Sequence, residues 1–302
     1  MLQQTQVATV IPYWHRWMEQ FPTVESLAAA DEQAVLALWQ GLGYYRRCRL
    51  LLQGAQWVAE HGMPNTAAEL LKVPGIGPYT AGAIASIAFN QPTPLVDGNV
   101  ERVFARLMGD TGVGQELHDS AWVWAKRNLY KKRPGDWNQA LMELGATVCR
   151  PVAPDCKGCP VADKCVAFQS WRVDELPRKA AKVTTVKLQH VVWVPMLGDK
   201  FGVKQIPAGQ WWEGMWEFPR VDADGTLEPI QLREMVGQGW KQDVGTVKHS
   251  VTHHRITIEV SFVQCDEAAP NLRWVSRQEI LEIPMPAPQR KALKLVFSHL
   301  GL

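Results

Sequence analysis

Residues 71–78 read LKVPGIGP and fall between two segments of helical periodicity. Proline is favoured at the start of a helix, and glycine leaves backbone N–H groups uncovered by side chains. The sequence therefore predicts a helix, a turn through Gly75 and Gly77, and a second helix that begins at Pro78 or Tyr79. Free amides at a helix N-terminus attract phosphate without reading base sequence. A Pro-Gly-x-Gly turn also occurs where nothing binds, so this turn alone does not establish a function.

An aspartate follows about twenty residues later, in the stretch LVDGNV at residues 95–100. Asp97 precedes a segment of helical periodicity, and it is a candidate N-cap that accepts hydrogen bonds from the first N–H groups of that helix. A carboxylate at the same place can instead stabilise positive charge on a bound molecule. Position alone does not separate these two roles.

Four of the six cysteines form the pattern C-x6-C-x2-C-x5-C within seventeen residues: Cys149, Cys156, Cys159 and Cys165. Prolines at 151, 154 and 160 break the segment into a loop. Four thiolates on a short loop suit either tetrahedral zinc or a 4Fe-4S cluster, and the spacing alone leaves both open. Cys48 and Cys265 lie outside the pattern, and we expect them to be ordinary core residues.

The hairpin, the Asp97 motif and the cysteine loop occur in the order and spacing of the helix-hairpin-helix DNA glycosylases. The chain resembles that superfamily over its whole first domain, and its cysteine spacing is similar to the iron-sulfur loop of endonuclease III and MutY glycosylases. The resemblance implies a 4Fe-4S cluster on the four cysteines. It also implies that Asp97, with Asn99 in the same motif, stabilises the cationic sugar left when a base departs.

Two features favour the MutY adenine glycosylases within this superfamily. Bifunctional members carry a lysine just after the hairpin that cleaves the strand through a Schiff base, whereas this chain has Tyr79 there. The opening MLQQTQV at residues 1–7 and GLGYY at residues 41–45 resemble MutY segments whose glutamine and tyrosine wedge into the duplex. The matching positions are Gln3 and Tyr45, with Tyr44 as the alternative.

Composition and length agree with a two-domain globular protein. The chain has 302 residues, of which 46% are hydrophobic and 21% charged, and this balance supports packed cores rather than disorder. A net charge of +2 shows no basic bias, so a nucleic-acid partner has to be argued from local sites. The sequence has no apolar run long enough to span a bilayer and no signal pattern, which leads us to expect a soluble, cytoplasmic protein.

The hydrophobic period changes from helical to alternating near residue 183. We expect a helical domain at residues 1–169, a basic linker at 170–182 and a second domain at 183–302. Strands are predicted near residues 186–194 and 255–263, and helices at 228–237 and 287–299. The predicted fold class is an all-α helix-hairpin-helix glycosylase domain with a 4Fe-4S loop, followed by an α+β Nudix-like domain with a half-buried sheet.

The second domain resembles the Nudix-like domain of MutY proteins through WEGMWEFP at residues 212–219. Nudix hydrolases bind magnesium through several glutamates, but residues 232–238 contain only Glu234, so we expect no hydrolysis by this domain. HSVTH at residues 249–253 resembles the loop that recognises oxidised guanine, with Thr252 in place of the usual serine and His253 beside it. The alternative is a polar hairpin without a recognition role.

The family's general acid is a glutamate two residues before the methionine that matches Met1, and it is not part of this sequence. One explanation is a start assigned to an internal methionine, and another is a truncation that binds mispairs without cutting them. We favour the first because Asp97, Tyr79, the cysteines and the recognition loop are all retained. We expect residues 1–302 to excise adenine at least about 10²–10⁴-fold more slowly than a chain extended with that glutamate.

The sequence thus predicts a monofunctional, monomeric DNA repair glycosylase that removes adenine opposite 8-oxoguanine or guanine. Its expected partner is duplex DNA containing those mispairs. A non-catalytic mismatch-binding protein is the alternative from a different functional class.

Overall fold

The computed structural model describes residues 1–2, 5–179, 184–222 and 229–302. The chain forms two compact units, one from Met1–Leu52 with Val183–Leu302 and one from Gln53–Lys182. Residues 1–52, which the sequence predicts as part of the helical domain, thus share a compact unit with the second half. They pack with the second half because polar groups join them: Gln33 Nε2 donates to Gly214 O at 2.9 Å, and Trp216 Nε1 donates to Gln33 Oε1 at 2.9 Å.

Helices fill the first half of the described chain, as predicted. They are α1 (Val7–Gln20), α2 (Val24–Ala28), α3 (Glu32–Trp39), α4 (Tyr45–His61), α5 (Ala67–Leu70), α6 (Pro78–Ala83), α7 (Gly98–Met108), α8 (Gln115–Asn128), α9 (Pro134–Glu143) and α10 (Val166–Gln169). α6 and α9 continue into π-helical turns at Ile84–Ala88 and Leu144–Val148. In the described part of the chain, none of the helices could cross a membrane.

Side chains cap the beginnings of α3 and α5. Asp31 Oδ2 accepts from the backbone N–H groups of Gln33 at 3.0 Å and Ala34 at 3.2 Å. Thr66 Oγ1 accepts from Glu69 N at 3.3 Å and donates to Glu69 Oε2 at 2.8 Å. Each cap satisfies N–H groups that have no partner within the helix.

Within residues 184–222 and 229–302, the described strands form a seven-stranded sheet. Its strands are β1 (Val186–Leu197), β2 (Lys200–Gln205), β3 (Trp216–Glu217), β4 (Arg220–Asp222), β5 (Gly239–Val251), β6 (His254–Cys265) and β7 (Arg273–Ser276). The order β3-β2-β1-β6-β5 forms the main path, and β4 pairs with β1 and β7 with β2. β1 and β6 are parallel, whereas β5 and β6 form an antiparallel hairpin. Helices α11 (Pro229–Val236), α12 (Arg277–Glu282) and α13 (Ala287–Leu300) complete the fold.

Apolar side chains cover more of the sheet than predicted. Val192 and Val194 pack with Leu293 and Val296 of α13 on one face. Trp193, between those two valines, belongs to a second cluster with Leu232 and Val236 of α11. Successive side chains of a strand alternate between faces, so β1 carries core residues on both sides. The prediction of a half-buried sheet was therefore too simple, while the helices predicted at 228–237 and 287–299 are confirmed as α11 and α13.

Candidate active site and nucleic-acid interface

The hairpin between α5 and α6 has the backbone geometry that its glycines allow. Gly75 has a φ of +82°, a conformation that side chains other than glycine rarely adopt. Gly77 is the N-cap of α6 with an ordinary φ of −93°, and a Cβ added to it would meet no atom within 4 Å. The predicted start of the second helix, at Pro78, is confirmed. The N-terminal end of α6 therefore faces open space.

Close packing brings α6 against the segment that leads to Asp97. A Cβ added to Gly82 would lie 2.3 Å from the carbonyl oxygen of Pro94, so this approach requires glycine. Tyr79 lies one turn before Gly82 on the same side of the helix. Burial raises the pKa of the Tyr79 hydroxyl, and the nearby Asp97 carboxylate raises it further. Tyr79 therefore stays protonated beside Asp97, and its hydroxyl contacts Met142 Sδ at 3.5 Å.

The Asp97 carboxylate is held by three hydrogen bonds at the beginning of α7. Its Oδ1 accepts from the backbone N–H groups of Asn99 at 2.9 Å and Val100 at 2.8 Å. Its Oδ2 accepts from Asn99 Nδ2 at 3.0 Å. The N-cap role is thus real, and the side chain of Asn99 adds a contact that a cap alone does not need. The side chain is also part-buried, so its orientation is fixed while it remains reachable.

Arg102 extends this network toward the cysteine loop. Its Nη2 donates to Asn99 Oδ1 at 2.8 Å and to Gly145 O at 2.7 Å, and its Nε donates to Cys149 O at 2.7 Å. A Cβ added to Gly145 would lie 2.6 Å from Asn99 Cβ, so glycine is required there as well. Asp97, Asn99, Arg102 and Cys149 are therefore connected by successive polar contacts.

The four predicted cysteine ligands line one small cavity, together with Arg106. Burial and the neighbouring thiols raise the pKa of Cys156. Within the described ranges, however, no three His, Cys, Asp or Glu side chains are arranged to hold a metal ion. The chemistry of the donors fits an iron-sulfur cluster, although the thiols are not drawn together as ligands.

Cys48 and Cys265 are buried in the core, as expected. Burial raises the pKa of Cys48 to about 12 and that of Cys265 to about 11. Both thiols therefore remain protonated at neutral pH, which fits packing rather than chemistry.

The predicted recognition loop is the tight turn between β5 and β6. Thr252 and His253 are exposed at its tip. Thr252 has a φ of +50°, and for a β-branched residue this is a strained conformation of the kind found at functional sites. Its hydroxyl donates to Val251 O at 2.8 Å and lies 3.4 Å from His253 Nδ1.

The structure separates the two candidate wedge tyrosines: the ring of Tyr44 lies at the surface, and the ring of Tyr45 is buried. Tyr45 is only 6% exposed, and its hydroxyl accepts from Gly41 N at 3.3 Å. Tyr44 is 53% exposed, with a φ of +49° that turns it away from the helix. A buried ring cannot enter a duplex, so the geometry favours Tyr44 over the predicted Tyr45. Gln3 lies outside the described residues.

Comparison with known proteins assigns the family. Residues 1–126 match the HhH-GPD superfamily of base excision DNA repair proteins, and residues 190–295 match the NUDIX domain. The chain is 35% identical to the adenine DNA glycosylase of Mus musculus, over 99% of this chain and 70% of that protein. The chain belongs to the adenine DNA glycosylases.

A second relative agrees with this assignment, and one solved structure shares the fold. An adenine DNA glycosylase of Buchnera aphidicola subsp. Schizaphis graminum is 28% identical over 98% of this chain and 88% of that protein. The structure of a thermostable thymine-DNA glycosylase is similar with a TM-score of 0.50, at 24% identity, covering 56% of this chain and 80% of the other. This last likeness shows the fold only.

In this adenine DNA glycosylase, the structure brings Tyr79, Asp97 and Asn99 together at one site. Sequence reasoning missed the two arginines of α7. Arg102 binds Asn99, and Arg106 is only 4% exposed. The available signal was Arg106 itself, because it directly follows the apolar residues Val103, Phe104 and Ala105 in a helix that is buried on several sides here. A charged residue that is buried among apolar side chains needs buried hydrogen-bond acceptors. Here the cysteine loop supplies such acceptors through Cys149 and Arg150.

Proposed function

We propose that this chain removes adenine from mispairs with 8-oxoguanine or guanine by hydrolysing the N-glycosidic bond. The observation that carries the proposal is the Asp97 carboxylate, fixed by three hydrogen bonds beside Tyr79 in a chain of the adenine glycosylase family. Bond breaking builds positive charge on the sugar, and a fixed carboxylate lowers that barrier without reorganising. Asn99 keeps Asp97 oriented through the contact from Nδ2.

The reaction is monofunctional in this proposal because Tyr79 stands where bifunctional members carry a lysine just after the hairpin. An amine there would attack the sugar and cleave the strand through a Schiff base, whereas Tyr79 has a hydroxyl and no amine nitrogen to form one. The test is borohydride trapping after incubation with a duplex containing an A:8-oxoguanine pair. We expect no trapped covalent complex and an uncut strand until alkali is added, and a trapped complex would contradict the assignment.

We propose that the hairpin at Gly75 and Gly77 contacts a DNA phosphate through backbone amides. Gly77→Val is expected to weaken binding to every duplex by about tenfold, because the side chain blocks the approach to one phosphate. The measurement is Kd against several duplexes at fixed salt, with the Tm as control. The Tm should hold, since the added side chain enters open space. A loss confined to one mispair would make the hairpin a lesion reader instead.

We propose that Tyr44 acts as the wedge that inserts beside the mispair. Its ring is exposed, and the Arg47 guanidinium lies over it at 5.2 Å from the ring centre. An inserted ring helps to hold an extruded base out of the stack. Tyr45 supports this segment from the buried side rather than entering the DNA.

We propose that Thr252 and His253 distinguish 8-oxoguanine from guanine. The lesion adds a carbonyl oxygen and a protonated N7, which a hydroxyl and an imidazole can recognise by hydrogen bonds. Thr252→Ala is expected to reduce the preference for A:8-oxoguanine over A:G by about 5- to 150-fold, equivalent to about 1–3 kcal/mol. The matched control is Thr246→Ala, an exposed threonine of β5, the strand that leads into the turn. If Thr252→Ala and Thr246→Ala showed the same preference for A:8-oxoguanine over A:G, the turn would have no role in recognition.

We propose that Cys149, Cys156, Cys159 and Cys165 hold a 4Fe-4S cluster in the cavity that they line. When bound, the cluster would tie together a loop that has little packing of its own. Protein purified without oxygen is expected to be brown and to contain about four iron atoms per chain. Colourless protein with stoichiometric zinc would contradict this assignment.

A further inference from the structure

Three exposed cations lie on one face of the sheet, next to the turn at Thr252 and His253. In the parallel pair of β1 and β6, Lys187 is the direct neighbour of Arg255. Across the antiparallel hairpin, Arg255 pairs with Ser250, and Lys248 pairs with Thr257. The adjacent residues Leu188, Ile256 and Val247 belong to the core on the opposite face. Because side chains alternate along a strand, Lys187, Arg255 and Lys248 share the outer face.

This arrangement is unfavourable for the isolated protein. Neighbouring strands are only about 4.8 Å apart, so Lys187 and Arg255 repel each other. Like charges directly opposite each other destabilise a sheet. Within the residues that the structure describes, none of the three cations forms an ion pair with a carboxylate. The first acidic residue along β6 is Glu259, four positions beyond Arg255.

A fourth cation strengthens the positive field around the turn. Lys291 of α13 donates to the backbone carbonyl of Lys248 at 3.2 Å. Burial and, secondarily, the charge of Lys291 lower the pKa of His249. His249 is therefore neutral at pH 7 and has no charge that would be repelled by its neighbours. The end of the sheet that carries the turn is thus positive, although the whole chain is nearly neutral at +2.

We propose that Lys187, Lys248 and Arg255 form a binding surface for the phosphates of duplex DNA. Several adjacent cations can bind the phosphates of a DNA strand at the same time, because the strand presents a row of single negative charges. The surface adjoins the turn that the proposed function assigns to the lesion, and in that respect it rests on the proposed function. It would fix the position of the second domain on the DNA backbone while the turn reads the base.

The test is the salt dependence of binding by the full chain. Lys187→Gln and Arg255→Gln are measured singly and together, against an undamaged duplex and one with an A:8-oxoguanine pair. Each change is expected to reduce the slope of log K against log salt by about 0.9, and affinity by about eightfold at 0.1 M salt. The Tm should stay equal or rise, because each substitution removes a like-charge contact. The control is Lys200→Gln, an exposed lysine at the start of β2, which pairs with Leu197 at the far end of β1 from Lys187.

The outcomes separate this inference from the proposed function. Unchanged slopes, or slopes reduced equally by Lys200→Gln, would overturn the binding surface even if adenine is released. A reduced affinity together with a lower Tm would also overturn it, because the residues would then act on folding. Reduced slopes on both duplexes, with no adenine released even by a chain extended with the general acid, would support the surface and contradict the glycosylase.

Discussion

Asp97→Asn is expected to slow adenine release by about 10²–10³-fold while leaving the fold intact. Asparagine caps a helix about as well as aspartate, so its oxygen can keep the bonds from the N–H groups of Asn99 and Val100. What is lost is the negative charge beside the developing sugar cation. The effect should be similar in residues 1–302 and in a chain extended with a general acid, because stabilising the sugar is independent of protonating the base. The measurement is single-turnover release from an A:8-oxoguanine duplex.

Asp31→Asn is the matched control for this substitution. Asp31 caps α3 with the same pattern of two backbone N–H donors, and it is exposed. The Asp31→Asn substitution should change neither the rate of adenine release nor the Tm. Asp97→Ala should additionally lower the free energy of unfolding by about 1 kcal/mol, because the cap itself is removed. If Asp97→Asn released adenine at the normal rate, Asp97 would be only a helix cap.

Arg106→Met is expected to lower the free energy of unfolding by about 3–5 kcal/mol. The buried guanidinium donates to Leu176 O at 2.8 Å, to Arg150 O at 2.8 Å and to Cys149 Sγ at 3.4 Å. Methionine fills the volume but leaves these buried acceptors without a donor. The cysteine loop should then loosen, and the brown colour expected for the cluster should fade. Chemical denaturation and iron content are the two measurements.

Arg150→Met provides the comparison in the same loop. Arg150 is exposed and donates to Ala153 O at 2.7 Å, so its loss should cost no more than about 0.5 kcal/mol. Equal losses of stability in the two variants would mean that Arg106 is not the residue that holds the loop. A stable Arg106→Met variant that lacks iron would assign Arg106 to the cluster rather than to folding.

Local features of the fold could be predicted from the sequence because local rules determine them. The Asp31 and Thr66 caps follow from residue type and spacing, and α13 follows from its helical period. The motif LVDGNV places Asp97 at a helix start whatever the rest of the chain does. These predictions depend on residues within one or two turns of each other.

Long-range packing could not be predicted in the same way. The burial of Arg106 depends on Leu176, seventy positions away in sequence, and the packing of residues 1–52 depends on contacts such as Gln33 with Trp216. The choice between Tyr44 and Tyr45 depends on which of two neighbouring rings is buried, and here Tyr45 is buried while Tyr44 is exposed. No periodicity in the sequence records these features.

The most direct measurement is the release of free adenine, detected by mass spectrometry, from a duplex with one A:8-oxoguanine pair. Residues 1–302 are compared with the same chain extended by a helix ahead of Met1. This helix carries a glutamate two positions before Met1. We predict that the extended chain releases adenine, leaves the strand uncut until alkali is added, and leaves an A:T duplex untouched. Binding of the mispair by both chains, without adenine released by either, would contradict the account and favour a mismatch-binding protein.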